Sequence, residues 1–130
     1  MIRCLMIQTI SIIDDNISLS YTLSLEFETE GYKNFRFSHP IEALNFHKTT
    51  PADFYLIDIK LPQMSGIEFY KSLCKQAHVH SIPAIFISAS NSQEAQCLTC
   101  TTIGDFVIKP FNFNTLLARM HRIMTQKENS

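Results

Sequence analysis

The stretch that most constrains this chain runs from Asp53 to Gly66 and reads DFYLIDIKLPQMSG. Phe54-Tyr55-Leu56-Ile57 is an apolar run too short for a helix, and it fits a strand buried on both faces. The run stops at a carboxylate, Asp58. Pro62 has no N–H and biases Leu61 toward extended backbone, so helix is barred for a few residues. A new helical pattern opens at Ser65-Gly66. Asp58 therefore belongs at the C-terminal tip of a core strand, beside an irregular loop. In parallel α/β sheets that edge is where ligands bind. A strand-end aspartate also serves simply as a cap, and on this stretch alone both readings stay open.

The rest of the chain repeats the pattern. Thr9 to Ile13 (TISII) is β-branched and ends in Asp14-Asp15-Asn16. Residues 17–30 read as a helix, with Asn16 as N-cap, Gly31 as the stop, and Ile17, Tyr21, Leu25 and Glu28 sharing an inward face flanked by Leu23 and Phe27. Residues 35–38 alternate like an edge strand. Pro40 can open a helix over 41–48 with Ala43, Leu44 and Phe46 inward. Residues 65–76 carry helical spacing, and 83–87 form another apolar strand, ending in Ser88-Ala89-Ser90. A weak helical pattern covers 91–101, and Asp105 to Ile108 is a last strand ending at Lys109-Pro110. A closing amphipathic helix spans about 112–125, with Phe113, Leu116, Leu117, Met120 and Met124 inward, and 126–130 reads as a frayed tail or the start of a linker. Five strands alternating with five helices predict one α/β domain over 1–130. Its parallel sheet is flavodoxin-like, in order 2-1-3-4-5, with helices on both faces.

Composition excludes several function classes. A net charge of -1 gives no electrostatic footprint for direct nucleic-acid or anionic-membrane binding. Three glycines leave no room for a Gly-rich nucleotide loop or a flavin phosphate loop. No apolar run approaches the ~20 residues of a membrane span. Met1 to Ile13 lacks a cleavage site and reads as a strand with leading residues, not a signal peptide. Cys97-x-x-Cys100 has no second pair and, with Cys4 and Cys74, reads as free thiol in a reducing cytosol. His78-x-His80 reads as a solvated helix-end loop, and His47 and His121 as solvated helix positions.

In the predicted topology the ends of four strands carry Asp14 and Asp15, Asp58, Ser88 and Lys109 along one edge. Carboxylates at such spacing repel, by about 4 kcal/mol for a pair ~4 Å apart at an effective dielectric near 20. Either their pKa values rise or a divalent cation sits among them. Oxygen-only ligands favour Mg²⁺ over zinc, with Mn²⁺ as a substitute. An aspartate nucleophile beside Mg²⁺, a lysine and a hydroxyl is an apparatus for accepting a phosphoryl group.

IIDDN at 12–16, LIDIKLPQMSG at 56–66, FISAS at 86–90 and DFVIKPF at 105–111 together resemble the receiver domain of bacterial two-component response regulators. The resemblance covers nearly the whole chain. It implies Asp58 as phosphoacceptor, with Asp15 a direct Mg²⁺ ligand, Asp14 a ligand through water, and Asp58 and the Lys60 carbonyl completing the protein's share of the shell. It implies Ser88 as the hydroxyl that bonds the phosphoryl group, Lys109 as the phosphate-pairing lysine, a cis Lys109-Pro110 bond, and Phe106 as the aromatic switch position. Lys60 and Ser90 would flank the phosphoryl group. The implied donor is a histidine kinase or phosphotransfer protein in the cytoplasm. The implied readout is by an effector, an output domain or a homodimer, through the face of the fourth helix, fifth strand and fifth helix. Such a domain catalyses its own phosphorylation and dephosphorylation but is mainly a switch. Thr101-Thr102-Ile103, with Gly104 displaced, departs from the small turn usual before the last strand. The alternative is a pseudo-receiver that signals by binding alone. A dehalogenase-type phosphatase would need an aspartate where Lys60 stands.

Overall fold

The structure is a computed structural model that describes residues 6–89 and 105–128, with side chains described through 125. The helix expected over 91–101, Ser90, the Cys97–Cys100 pair, Cys4 and the turn before Gly104 lie outside the described residues. Five strands alternate with four helices among them: β1 (Thr9–Ile13), α1 (Ile17–Thr29), β2 (Lys33–Phe37), α2 (Pro40–His47), β3 (Phe54–Asp58), α3 (Gly66–Ala77), β4 (Ala84–Ser88), β5 (Asp105–Ile108) and α4 (Phe113–Glu128). All strand pairs are parallel and the order is β2-β1-β3-β4-β5. The last helix extends to Glu128, three residues past the expected end.

The period-2 alternation of the strands sorts the core into two layers. Ile10, Ile12, Phe54, Leu56, Ile85 and Ile87 pack with Leu23, Phe27, Leu116 and Met120 of α1 and α4. Ile13, Tyr55, Ile57, Ala84 and Phe86 pack with Phe69, Tyr70 and Leu73 on the α2–α3 side. Burial on both faces is why β3 and β4 are continuous apolar runs. Local chemistry sets the helix starts. Asn16 caps α1 by accepting from the Leu19 N–H at 3.1 Å, Ser65 caps α3 by accepting from the Glu68 N–H at 3.1 Å, and Pro40 begins α2.

Three expectations are corrected. The inward face of α1 is Ser20, Leu23, Ser24 and Phe27, while Ile17, Tyr21 and Leu25 are 61, 54 and 46 % exposed. The small serines let the helix lie close to the sheet beside Leu23 and Phe27, and Ile17, Tyr21 and Leu25 turn outward. His47 is buried, not solvated. Its Nδ1 lies 2.7 Å from the Thr50 carbonyl, which can only accept, so Nδ1 carries the hydrogen. Nε2 therefore accepts from the Ser11 hydroxyl, also at 2.7 Å. The imidazole is ringed by Phe35, Phe37, Phe46 and Tyr55. His121 is half-buried, with Nε2 shielded from solvent and without a partner.

Burial holds the His47 pKa below its ordinary value near 6.5. A depressed histidine binds its proton less readily when folded than when unfolded. Its contribution to stability is thus complete above the unfolded value and is lost as pH falls from there through the folded value. Between about pH 7 and pH 5 the wild type should lose more thermal stability than a Ser11→Ala/His47→Phe double variant. Parallel melting curves for the two proteins across that range would contradict a neutral, buried His47.

Candidate functional site

The C-terminal ends of β1 and β3 bring three carboxylates together. One ligand oxygen from each of Asp14, Asp15 and Asp58 lies within 4.8 Å of the others. Asp14 and Asp58 are buried, and Asp15 is exposed at the rim. The parallel register makes this happen, since Ile13 pairs with Ile57 and the next residues of both strands are the aspartates. Asp14 Oδ1 accepts from the Asn16 N–H at 2.8 Å, and Asp58 Oδ1 accepts from the Lys60 N–H at 3.2 Å.

Lys109, the residue after β5, brings its ammonium 3.5 Å from both Asp14 Oδ2 and Asp58 Oδ2. Its backbone N–H donates to the Ser88 carbonyl at 2.8 Å, which ties the end of β5 to the end of β4. The Lys109–Pro110 peptide bond is cis. Ser88 closes β4 on the same edge and is buried. Lys60 is an exposed residue whose N–H faces Asp58. Phe106 pairs in register with Phe86 and packs half-buried against the α2–α3 layer.

The electrostatics are unbalanced in one place. Asp14 Oδ2 is fully shielded and, despite the nearby ammonium, makes no hydrogen bond. Desolvation raises the Asp14 pKa to about 7; the Asn16 N–H opposes this, the Asp58 carboxylate adds to it, and Lys109 opposes it. An orphaned buried oxygen among three carboxylates is the donor set a hard divalent cation needs. Asp14, Asp15 and Asp58 could hold such an ion.

Sequence reasoning located these groups but missed what fixes the backbone around Asp58. A Cβ on Gly66 would fall 2.2 Å from the Asp58 carbonyl oxygen, so only glycine fits there. The Gly66 N–H donates to the Ile59 carbonyl at 2.7 Å, which closes the loop after β3. Within that loop Gln63 has φ 74, and the Met64 N–H bonds the Pro62 carbonyl at 2.9 Å across it, a strained γ-turn on a non-glycine residue. The LPQMSG string contains Gly66, but no residue pattern announces a left-handed glutamine.

A sequence profile of the response regulator receiver domain matches residues 10–121. The chain belongs to the response regulator receiver family. The response regulator GtcR of Aneurinibacillus migulanus is 31 % identical over 116 residues, covering 88 % of this chain and 47 % of that protein. The cell cycle transcriptional regulator CtrA of Caulobacter vibrioides is 25 % identical, over 90 % of this chain and 50 % of its own length. The chain thus spans about half the length of these relatives. Among solved structures, the chemotaxis protein CheY4 of Vibrio cholerae superposes with TM-score 0.78 at 26 % identity, covering 90 % of this chain and 98 % of that one. The receiver domain of the Francisella response regulator 1452 gives 0.79 at 25 %, covering 92 and 98 %. The receiver fold and family anticipated from the motifs are therefore the ones found.

Two outcomes test the geometry. The folded pKa of Asp14 lies above its unfolded value, so its contribution to stability is present at low pH and lost as pH rises through about 7. With divalent ions chelated, Asp14→Asn should raise the melting temperature by at least ~3 °C near pH 8 and by much less near pH 5; a uniform or negative shift would contradict the assignment. Gly66→Ala should cost about 2 kcal/mol or more in chemical denaturation, through overpacking against Asp58. A neutral effect would mean that the contact relaxes.

Proposed function

We infer that this chain is a phosphoacceptor switch in which Asp58 takes a phosphoryl group from a phosphohistidine. The observation that carries the reading is the convergence of Asp58 with Asp14, Asp15 and Lys109 on one sheet edge. An Asp58 carboxylate oxygen attacks phosphorus, the P–N bond of the donor breaks, and the departing imidazole nitrogen takes a proton. Lys109 faces the oxygen of Asp58 that the Lys60 N–H does not occupy, so its charge can follow the phosphoryl oxygens as negative charge builds. Asp14, Asp15, Asp58 and the Lys60 carbonyl would hold Mg²⁺, which supplies charge neutralisation at the phosphoryl oxygens when bound. Ser88 donates its hydroxyl to the new phosphoryl group, and Lys60 stands at the rim, where its side chain can shield that group from water.

The donor is a histidine kinase or phosphotransfer protein in the cytoplasm. It must cover the rim, and the exposed apolar residues of α1 start there. Ile17 and Asp14 line the same hollow of about 200 Å³, and Tyr21 and Leu25 continue the stripe. Readout is by Phe106 and the surface around β5 and α4, where a cleft of about 490 Å³ runs along Phe106, Ile108, Phe111 and Arg119. Asp105 is clamped there by Arg119 at 2.9 Å and Arg122 at 2.6 Å. An effector, an output domain or a second copy of the chain would read that face. Phosphorylation biases two pre-existing arrangements of it and does not create a new fold. An interaction-only module has no observation in its favour, since every site position is filled.

Intact-mass measurement after acetyl phosphate and Mg²⁺ tests the reading. The wild type should gain one phosphoryl group, Asp58→Asn none, and Lys109→Ala should react about 100-fold more slowly. An unmodified wild type, or an Asp58→Asn protein that still gains the mass, would reject Asp58 as acceptor. Phe106→Tyr introduces a hydroxyl that resists burial. It should widen the difference in partner binding between the phosphorylated and unphosphorylated forms; identical responses from the two proteins would deny Phe106 the switch role.

A further inference from the structure

A second concavity lies at the opposite end of the sheet from Asp58, where β3 begins and α3 ends. It encloses about 320 Å³, and its walls include Ala52, Tyr55, Leu73, Val79 and Ile82, with His47 beneath. That volume lies at the lower end of the ~300–1,000 Å³ typical of small-molecule pockets, and the mostly apolar lining is typical too.

One buried polar group in this wall is incompletely used. Tyr55 is only 2 % exposed. Its hydroxyl accepts from the Ala52 N–H at 2.9 Å, and among the described residues it donates to nothing. Burial raises the phenol pKa, so the hydrogen stays in place. That hydrogen meets no protein acceptor among the described residues, so an acceptor entering the cleft can take it in exchange for water. Of the other polar wall residues, Gln76 donates to the Leu44 carbonyl at 2.9 Å and Ser81 stands exposed at the edge, while His47 and Asp53 bear on what that acceptor belongs to. Both nitrogens of His47 are engaged, by Thr50 and Ser11, so the ring offers only apolar contact. Asp53 is also on the wall, with Oδ2 already accepting from Gln8 and Thr9, and its carboxylate disfavours an anion. Val79 follows His78, the left-handed cap of α3 with φ 57, and stands 47 % exposed at the mouth. A C-terminal helix cap of this kind normally buries the apolar residue that follows it; here that residue faces the cleft.

We propose that this cleft binds a small uncharged molecule with an apolar body and a single hydrogen-bond acceptor, recognised by the Tyr55 hydroxyl. The site is separate from the phosphoacceptor edge, and the proposal stands whether or not Asp58 is phosphorylated.

Amide chemical-shift titration of the whole chain tests it, with acetophenone as probe, ethylbenzene as the same shape without the acceptor, and benzoate as the anion. Acetophenone should give saturable shifts at Ala52, Val79 and Ile82, ethylbenzene should bind about tenfold more weakly, and benzoate should give none. Tyr55→Phe should erase the preference for acetophenone, and Val79→Trp should weaken both neutral probes by narrowing the mouth. No saturable shift in the wild type, shifts centred elsewhere, or benzoate binding would overturn the proposal. So would a preference that survives Tyr55→Phe. Equal affinity for acetophenone and ethylbenzene would also overturn it, marking a bare apolar cleft suited to a partner's side chain. Should Tyr55→Phe not fold, unchanged acetophenone binding in Val79→Trp would be decisive against it.

Discussion

Everything at the C-terminal edge depends on the balance between the buried carboxylates of Asp14 and Asp58 and the single ammonium of Lys109. Two negative groups held close in a shielded place repel, and one positive group 3.5 Å from each offsets only part of that. The fold tolerates the arrangement because it is rigid elsewhere. β1 and β3 are locked in register and buried on both faces. The loop after β3 is pinned by the Gly66 and Lys60 N–H groups, and the end of β5 is tied to β4 through Ser88. A site that stores unfavourable charge in this way favours whatever brings positive charge to it.

The two ends of the sheet are built differently. At the C-terminal edge, polar groups converge on one another and leave a buried oxygen unmatched. At the N-terminal edge they are largely spent on the backbone. Asp53 accepts from Gln8 and Thr9, His47 closes on Thr50, and Tyr70 both donates to and accepts from Ile82. That end therefore holds the strands and helices in place, while the other keeps its chemistry available. The parallel topology separates the two ends, because every described strand runs from the pinned end toward the edge where Asp14, Asp58, Ser88 and Lys109 gather.

Much of this was legible in the residues. β3 and β4 announced themselves because strands covered on both sides rarely carry a polar residue without a buried partner before they leave the core, so Asp58 and Ser88 mark both the end of a strand and the start of the carboxylate cluster's edge. Lys109 stood out by its place at a strand end immediately before Pro110. The inward face of α1 was not legible. That helix is apolar around much of its circumference, and the choice between faces falls to Ser20 and Ser24, whose small size suits close approach to the sheet rather than hydrophobicity. His47 was misread because an imidazole on a short helix looks the same whether wet or dry. The available hint was Ser11, a hydroxyl in the middle of an apolar strand that needed a buried partner. Gln63 gave no hint at all, since its left-handed backbone follows from loop closure and not from its side chain.

The approach of Gly66 to the Asp58 carbonyl also has a bearing on how such chains can diverge. Helix α3 starts in contact with the residue that ends β3, so the intervening residues 59–65 act as a spacer of fixed length. Exposed side chains of this segment can change, although the left-handed backbone at Gln63 disfavours β-branched residues there. An inserted or deleted residue would have to unseat either the helix or the aspartate, so this segment can evolve by substitution but hardly by changes in length.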